Sequence, residues 1–384
     1  MKISGDWFEN AHTQAVFAML NDAGYLAYMV GGCVRNALIG TPVSDIDIST
    51  DARPETVTKL AVRAGLKVIP TGIDHGTVTV ISGHEPHEIT TFRYDVETDG
   101  RRAVVAYSDR IEDDAERRDF TMNALYADAQ GRIVDPLGGL DDLIARRVRF
   151  IGHAEDRIHE DYLRILRFFR FNAWYADPEL GFDPDAMAAI AANLNGLDAL
   201  SKERVGHELR KLLAAPDPSR SVASMAQTGV LVHIVPGASA RVLPVLVHLE
   251  AEAGQAPHWQ TRLAALGAHD LAAALRLSRT ELREVAQISE AANEIAQPEE
   301  HGYRLGADLG LRSWLLRLAK LEAVLDPETL SRVAFGAGQS FPVKAADLME
   351  RLQGPALGAA LKHLEARWIA SGFSLTREEL LADD

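Results

Sequence analysis

Residues 25–49 read YLAYMVGGCVRNALIGTPVSDIDIS, and the fold class follows from this stretch. Residues 25–30 form a short apolar run that ends at Gly31-Gly32, so a strand is predicted to feed a tight turn. Two glycines after a strand let the backbone approach a ligand closely and expose N–H groups to phosphate. Arg35 follows on what reads as a helix N-terminus, a second place that favours anions. Ten residues further on, residues 45–49 alternate with period two, the pattern of a half-buried strand. Asp45 and Asp47, at i and i+2, then point to one face. Adjacent carboxylates repel each other, and a divalent cation relieves that repulsion. Hard Mg²⁺ prefers such oxygen ligands together with substrate phosphates. Alone, the Asp pair reads equally as two solvated acids at a surface turn. The GG-x-V-R upstream turns the reading towards phosphate chemistry.

Working outwards, residues 7–23 show helical spacing of Trp7, Phe8, Val16, Phe17 and Leu20, stopped by Gly24. Residues 54–66 read as a helix with Pro54 in its first turn. Residues 78–81 and 87–92 read as two strands around the turn SGHEP. Residues 115–127 are helical in pattern, and 132–134 a short strand. From about residue 141 the signals become almost purely helical, with breaks at Pro216–Pro218, Pro236-Gly237, 254–257, Pro298 and 335–342. The expected class is α+β: a small mixed head, residues 1–140, then a helical neck, 141–215, then an all-α body, 216–384.

Composition bounds the function. The 384 residues carry 40 Lys+Arg against 55 Asp+Glu, a net charge of −15. Apolar residues make up 47% and charged residues 25%, so a sizeable core is expected and disorder is excluded as the main state. One cysteine, Cys33, excludes an internal disulfide framework and a Cys-rich zinc site. The acidic balance argues against coating nucleic acid by bulk charge, but not against a local basic groove. The N-terminal MKISGDWFEN shows no signal-peptide core, and the longest apolar stretch, 230–249, is broken by His233, Pro236 and Arg241. A cytoplasmic protein with no membrane partner is expected.

Two further constellations carry chemistry. Arg117-Arg118-Asp119-Phe120-Thr121-Met122-Asn123-Ala124, read as a helix, sets Asn123 one turn from Asp119. Its arginines suit phosphate, and Asp and Asn suit ribose hydroxyls; a surface charge cluster is the plainer alternative. Residues 160–171, EDYLRILRFFRF, gather Glu160, Asp161, Arg164, Arg167 and Arg170 on one half of a helix that is apolar elsewhere. Buried arginines need anionic partners. Glu160 and Asp161 cannot neutralise three of them, whereas a bound triphosphate could; acids from elsewhere in the fold are the alternative.

In this order and spacing, the three motifs resemble the class II tRNA nucleotidyltransferases and bacterial poly(A) polymerases of the polymerase β-like nucleotidyltransferase superfamily. The resemblance spans roughly residues 25–215. Residues 201–208, with Ser201, Arg204 and Glu208, look like the family's later helical motif that braces the site. Residues 135–139, DPLGG, match the loop between head and neck. Asn36 stands where the family often has Asp, and Tyr162 where it often has Pro.

The resemblance implies a polymerase β-like head on a long all-α body, and a role for each matching residue. Asp45 and Asp47 match the catalytic, metal-binding carboxylates, with Mg²⁺ as the cofactor. Glu88 is the candidate third carboxylate, or else a partner of Arg93. Gly32 and Arg35 match phosphate contacts, and Arg118 an NTP-binding arginine, with Asp119 and Asn123 near the ribose. Asp161 and Arg164 match the pair that reads the incoming base, and Arg167 and Arg170 further nucleotide contacts. A carboxylate accepts from the exocyclic amine of C or A, and an arginine donates to their ring acceptors. U and G place a carbonyl oxygen where the amine should be. The implied activity is addition of CCA to tRNA 3′ ends from CTP and ATP, with the body gripping the acceptor arm. The alternatives are poly(A) polymerase, a CC-only or A-only enzyme, and a non-catalytic RNA-binding protein. The acidic REELLADD, with no long basic tail, disfavours the first.

Weaker signals point elsewhere. His84-Glu85-Pro86-His87-Glu88 lacks zincin spacing and reads as a hairpin turn. His269-Asp270 is a lone dipeptide, and Cys33 a small packed residue beside the glycines. Residues 95–112, with Gly100, Arg101, Arg102 and Arg110, read equally as a mobile nucleotide-positioning loop and as a solvated β connection.

Overall fold

The computed structural model describes residues 1–73, 76–99 and 102–382. The chain folds as two compact units, Met1–Leu212 with Gln227–Ile234, and Leu213–Ala226 with Val235–Asp384. The first unit holds residues 1–212 of the expected head and neck together with 227–234 of the expected body, while 213–215 of the expected neck fall in the second.

That unit opens with α1 (Asp6–Glu9), α2 (Ala11–Asn21), β1 (Ala27–Val30), α3 (Gly32–Ile39), β2 (Ile46–Thr50) and α4 (Pro54–Arg63). It continues with β3 (Lys67–Gly72), β4 (Thr77–Ser82), β5 (Glu85–Thr91), β6 (Arg93–Asp99), β7 (Arg102–Tyr107), α5 (Ile111–Glu116), β8 (Tyr126–Ala127) and β9 (Ile133–Val134). Among the described residues, seven strands form one sheet in the order β3-β4-β5-β2-β1-β8-β9, and β6 pairs with β7 apart from it. Only the β2–β5 pair in the seven-stranded sheet is parallel. Its register sets Asp47 beside Glu88 and Ile48 beside Ile89. Ile48 and Ile89 are buried, at about 2 kcal/mol each, and this holds Asp47 and Glu88 on the opposite face.

Between β1 and α3 the turn rests on Gly31, at φ 73° and ψ −119°. A side chain there would adopt a rare backbone conformation, and its Cβ would lie 3.3 Å from Arg118 Nη1. The predicted strands at 25–30, 45–49, 78–81, 87–92 and 132–134 coincide with β1, β2, β4, β5 and β9 to within a few residues. The helix predicted over 7–23 is divided at Asn10, whose side chain accepts from the His12 and Thr13 N–H groups. The turn SGHEP is the β4–β5 hairpin, with Gly83 and His84 both at positive φ.

One expected helix does not form. Instead of a run over 115–127, α5 stops at Glu116, Thr121–Asn123 is a single 3₁₀ turn, and β8 follows. A local and a tertiary partner capture the backbone: the Phe120 N–H donates to the neighbouring Asp119 Oδ1, and the Thr121 N–H to Arg149 O. Phe120 is buried against Phe150 and Phe171, at centroid distances of 5.0 and 4.9 Å. Within 95–112 the described residues form β6, β7 and the start of α5; Gly100 and Arg101 lie outside the described residues.

The neck supplies α6 (Gly139–Ile144), α7 (Ala154–Glu160), α8 (Leu163–Tyr175), α9 (Pro184–Ala192) and α10 (Lys202–Leu213). The loop of residues 135–139 starts α6: the Asp135 carboxylate accepts from the Gly139 and Leu140 N–H groups, each at 2.9 Å. Residues 160–171 are not one helix. Glu160 ends α7, Asp161 is extended at φ −157°, and α8 begins at Leu163. Asp161 Oδ1 accepts the Leu163 N–H, and the Tyr162 ring lies flat on Gly196, where any Cβ would stand 1.9 Å from it.

The second unit is helical: α11 (Ser219–Gln227) begins within it, α12 (Val230–Ile234) belongs to the first unit, and α13 (Leu243–Glu252) to α20 (Arg377–Ala382) follow. Its interior holds a buried ion pair, Arg262 Nε donating to Glu250 Oε2 at 2.8 Å. The same guanidinium donates to the carbonyls of Leu213, Ala215 and Pro216.

Candidate active site

Asp47 stands on β2, and Asp45 just ahead of it. Both line a cleft of about 380 Å³ whose walls include Arg35, Arg170, Trp174 and Lys211. Both also border a second cleft, of about 630 Å³, walled by Trp7, Pro86 and Glu88. Burial lifts the Asp47 carboxyl to about 6; Glu88 and Asp45 push the same way, and Arg118 opposes them. The donors are carboxylate oxygens that repel one another, with Arg118 opposing that repulsion at Asp47, and such a set suits a hard divalent ion. Among the described residues, no three His, Cys, Asp or Glu side chains close round one point. Glu88 is set beside Asp47 by strand register, whereas the Asp45 carboxylate accepts from Ser44 Oγ at 3.1 Å.

Across the cleft, Arg35 is buried at the first turn of α3, one turn from Gly32. Its Nη1 donates to Asn123 Oδ1, its Nη2 to the Tyr175 hydroxyl at 2.9 Å, and its Nε and Nη2 to Asn36 Oδ1. The Tyr175 ring lies 4.1 Å from its guanidinium carbon. All of these partners are neutral, and burial pushes the Arg35 pKa down. Asn36 thus supports the Arg35 fork directly.

Asn123 passes the network on: its Nδ2 donates to Asp119 Oδ1 at 2.8 Å, and Asp119 Oδ2 accepts Arg167 Nε and Nη2. Burial pushes the Asp119 carboxyl up, but Arg167, Asn123 and the Phe120 N–H more than reverse it and hold it at about 2. Arg118 takes a different partner, the buried Asp114, at 3.0 Å, with the Tyr126 hydroxyl at 3.2 Å. Asp114 also binds Arg117, Tyr126 and Ser49.

The arginines of α8 find acids inside the fold. Arg164 pairs with Glu160, Arg167 with Asp119, and Arg170 with Glu208 on α10 at 2.5 Å. Asp161 pairs with Arg204, also on α10, at 2.6 Å. Helix α10 therefore braces α8 through Arg204 and Glu208. Asp161 and Arg164 do not bond to each other by their side chains; each keeps hydrogen-bonding capacity. Arg164 uses donors on Glu160, Arg157 O and Arg117 O, leaving two of a guanidinium's five N–H groups.

Gly32, Arg35, Asp45, Asp47 and Arg170 thus share one cleft, and Asn123, Asp119 and Arg167 stand behind it in one hydrogen-bonded chain. Arg164 lies in the first turn of the helix on which Arg170 reaches the cleft, and Asp161 stands just ahead of that helix. Sequence reasoning missed Asp114, Tyr175 and Lys211. Asp114 was legible from its i−3 and i−4 spacing to Arg117 and Arg118; Tyr175 and Lys211 carry no local signal. Cys33 is the packed residue expected, its thiol lifted to about 11 by burial.

The chain is similar to known proteins in sequence and in fold. Residues 27–149 match the family described as "Poly A polymerase head domain", and 180–241 that described as "Probable RNA and SrmB- binding site of polymerase A". The chain is 40% identical over 217 residues to human mitochondrial CCA tRNA nucleotidyltransferase 1, covering 56% of this chain and 50% of that protein. It is 40% identical to the CCA-adding enzyme of Geobacillus stearothermophilus over 56% of this chain and 52% of that one. These two alignments span only about half of each relative. The alignment with the mouse mitochondrial CCA tRNA nucleotidyltransferase 1 runs over the whole chain and 92% of that protein, at 30% identity. The crystal structure of Bacillus stearothermophilus CCA-adding enzyme in complex with CTP superposes with a TM-score of 0.73 at 30% identity, over 96% of this chain and 94% of that one. A Thermotoga maritima CCA-adding enzyme, at 19% identity and TM-score 0.67, shares the fold. The near-full-length match to the mouse enzyme settles the family: this chain belongs to the CCA-adding tRNA nucleotidyltransferases.

Proposed function

We propose that this chain transfers CMP and AMP units from CTP and ATP to the 3′ end of tRNA, building CCA without a nucleic-acid template. The observation that carries the reading is the shared cleft, in which Asp45 and Asp47 face Arg35, Arg170 and Lys211. Carboxylates opposite cations across one gap fit a phosphate-bearing substrate held by a metal on one side and by the protein on the other. The likeness to an enzyme solved with CTP, at 30% identity, supports the same reading.

In this mechanism Asp45 and Asp47, with Glu88 beside Asp47, hold the divalent cation, Mg²⁺ in our reading. When bound, such ions lower the pKa of an attacking hydroxyl and neutralise departing pyrophosphate. The chain's own residues do the rest. Gly31 and Gly32 let the backbone approach the phosphates, and Arg35, pre-aimed by Asn123, Asn36 and Tyr175, supplies positive charge at little reorganisation cost. Asp119 and Asn123 serve the ribose side, and Arg118, Arg167 and Arg170 hold the field around the nucleotide. Asp161 accepts from the exocyclic amine of C or A, and Arg164 donates its spare N–H groups to the ring, which disfavours U and G. The helical second unit grips the acceptor arm by shape and backbone contact.

No helix among the described residues is long and apolar enough to cross a membrane. A cytoplasmic site of action is part of this reading; the human and mouse relatives bear mitochondrial names, and fractionation of the native host decides it. The test of the function is incorporation of labelled nucleotide into tRNA trimmed of its 3′ end. The wild type is expected to incorporate it in Mg²⁺. Asp47→Ala is expected to fold with an unchanged melting profile and incorporate none; retained turnover contradicts the carboxylate assignment.

A further inference from the structure

The cations around the cleft are not equivalent. Arg118 faces Asp114, Arg167 faces Asp119, and Arg170 faces Glu208, so each is already neutralised by an acid of the fold. Lys211, on α10, makes no ion pair among the described residues, and its side chain is exposed to the cleft that holds Asp45 and Asp47. Its position is fixed: the Trp174 indole N–H donates to the Lys211 carbonyl at 2.7 Å and ties the end of α8 to this turn of α10. Arg170 and Arg167 repel its ammonium, and Glu208 and Asp45 attract it; burial and Arg170 lower its pKa. An added anion would therefore be welcome there.

Helix α8 gives the scale. Arg164, at the base-reading end, and Trp174, at the Lys211 end, are ten residues apart, about 15 Å at the α-helical rise. An extended nucleoside triphosphate covers a comparable span from base to terminal phosphate. Arg167 and Arg170 fall between, on the same side of the helix.

Resting on the function proposed above, we propose that Lys211 binds the β- and γ-phosphates of the incoming CTP or ATP and holds the pyrophosphate as it leaves. In the transfer, the tRNA 3′-hydroxyl oxygen bonds to the α-phosphorus and the bond from that phosphorus to the α–β bridging oxygen breaks. The bond's electron pair passes to pyrophosphate, and the hydroxyl proton is released to solvent. Negative charge gathers on the β- and γ-phosphates, where Lys211 places an un-neutralised positive charge, while Trp174 acts as a positioning residue.

Calorimetric titration of the full chain with CMP and with CTP, in Mg²⁺, tests this without relying on turnover. The wild type is expected to prefer CTP. Lys211→Met is expected to cut that preference by about tenfold, the scale of one charge-assisted hydrogen bond, with CMP affinity unchanged. Lys211→Arg, which keeps the charge, is expected to restore most of it, and product inhibition by pyrophosphate is expected to weaken in Lys211→Met alone. A Lys211→Met protein that keeps the wild-type preference overturns the role of the lysine and leaves the proposed function standing. A wild type that does not distinguish CTP from CMP overturns both.

Discussion

Arg167 grips Asp119 through two donors, Nε at 2.8 Å and Nη2 at 2.5 Å to the same carboxylate oxygen, across 48 residues of chain. The pair welds the neck helix α8 to the turn that carries Asn123, and through Asn123 to Arg35 and the glycine turn. The cleft's cationic wall is therefore assembled by hydrogen bonds that cross from head to neck inside one compact unit.

Substituting Asp119→Asn removes the charge that balances Arg167 while keeping the shape. Arg167, whose side chain is 30% exposed, keeps Glu208 at 3.8 Å, so a loss of about 1–2 kcal/mol is expected. The urea midpoint should fall, and nucleotide affinity should fall with it, because Asn123 loses its fixed acceptor geometry. An Asp119→Asn protein with wild-type midpoint and wild-type affinity would show that the chain from Arg167 to Arg35 positions nothing.

In the second unit the pair of Arg262 and Glu250 is buried, with Arg262 only 2% exposed. Arg262→Ala leaves the Glu250 carboxylate and the carbonyls of Leu213, Ala215 and Pro216 without their donor. A loss of about 3–5 kcal/mol is expected. The double variant Arg262→Met with Glu250→Gln should recover part of it, since it removes both charges together. Calorimetric melting of the wild type, Arg262→Met, Glu250→Gln and the double variant gives the comparison, and additive losses would contradict a coupled pair.

His301 is fully buried against Ser313 and the Ile295 carbonyl, and burial lowers its pKa from 6.5 to about 4. The folded state thus keeps this imidazole neutral, and the unfolded chain binds the proton more tightly. The contribution of His301 to stability is expected to be level above pH 6.5 and to fall as pH drops from about 6.5 towards 4, by roughly 2 kcal/mol at pH 5, while the Asp47 carboxyl, lifted to about 6, works in the opposite direction. His301→Gln should flatten that part of the pH profile. Equal slopes for the wild type and His301→Gln in chemical denaturation between pH 7 and 5 would show that the imidazole takes up its proton as readily in the fold as in the unfolded chain.

Local patterns made part of this site readable. Alternation at residues 45–49 placed β2, and the GG-x-V-R run placed the β1-turn-α3 corner, because both depend on neighbours one or two residues away. The segment from Arg117 to Ala124 was misread as helix because the force on it is long-range: Phe120 enters a cluster with Phe150, Phe168 and Phe171 that helical periodicity cannot announce. Strand β3 was missed because Pro70 interrupts it, and its pairing with β4 shifts register between Ile69 and Gly72. The arginines of α8 looked short of acids for the same reason. Their partners Asp119 and Glu208 lie 48 and 38 residues away, so only folding reveals the balance. That balance leaves two cations lining the cleft without an ion pair among the described residues, Arg35 among its neutral partners and Lys211.

The most direct measurement incubates the wild type with tRNA lacking its 3′ end and with CTP alone, ATP alone, or both, then sequences the products. The account predicts two added C residues with CTP alone, no A run with ATP alone, and CCA with both. A homopolymer of A from ATP alone, or no extension in any mixture, would contradict it.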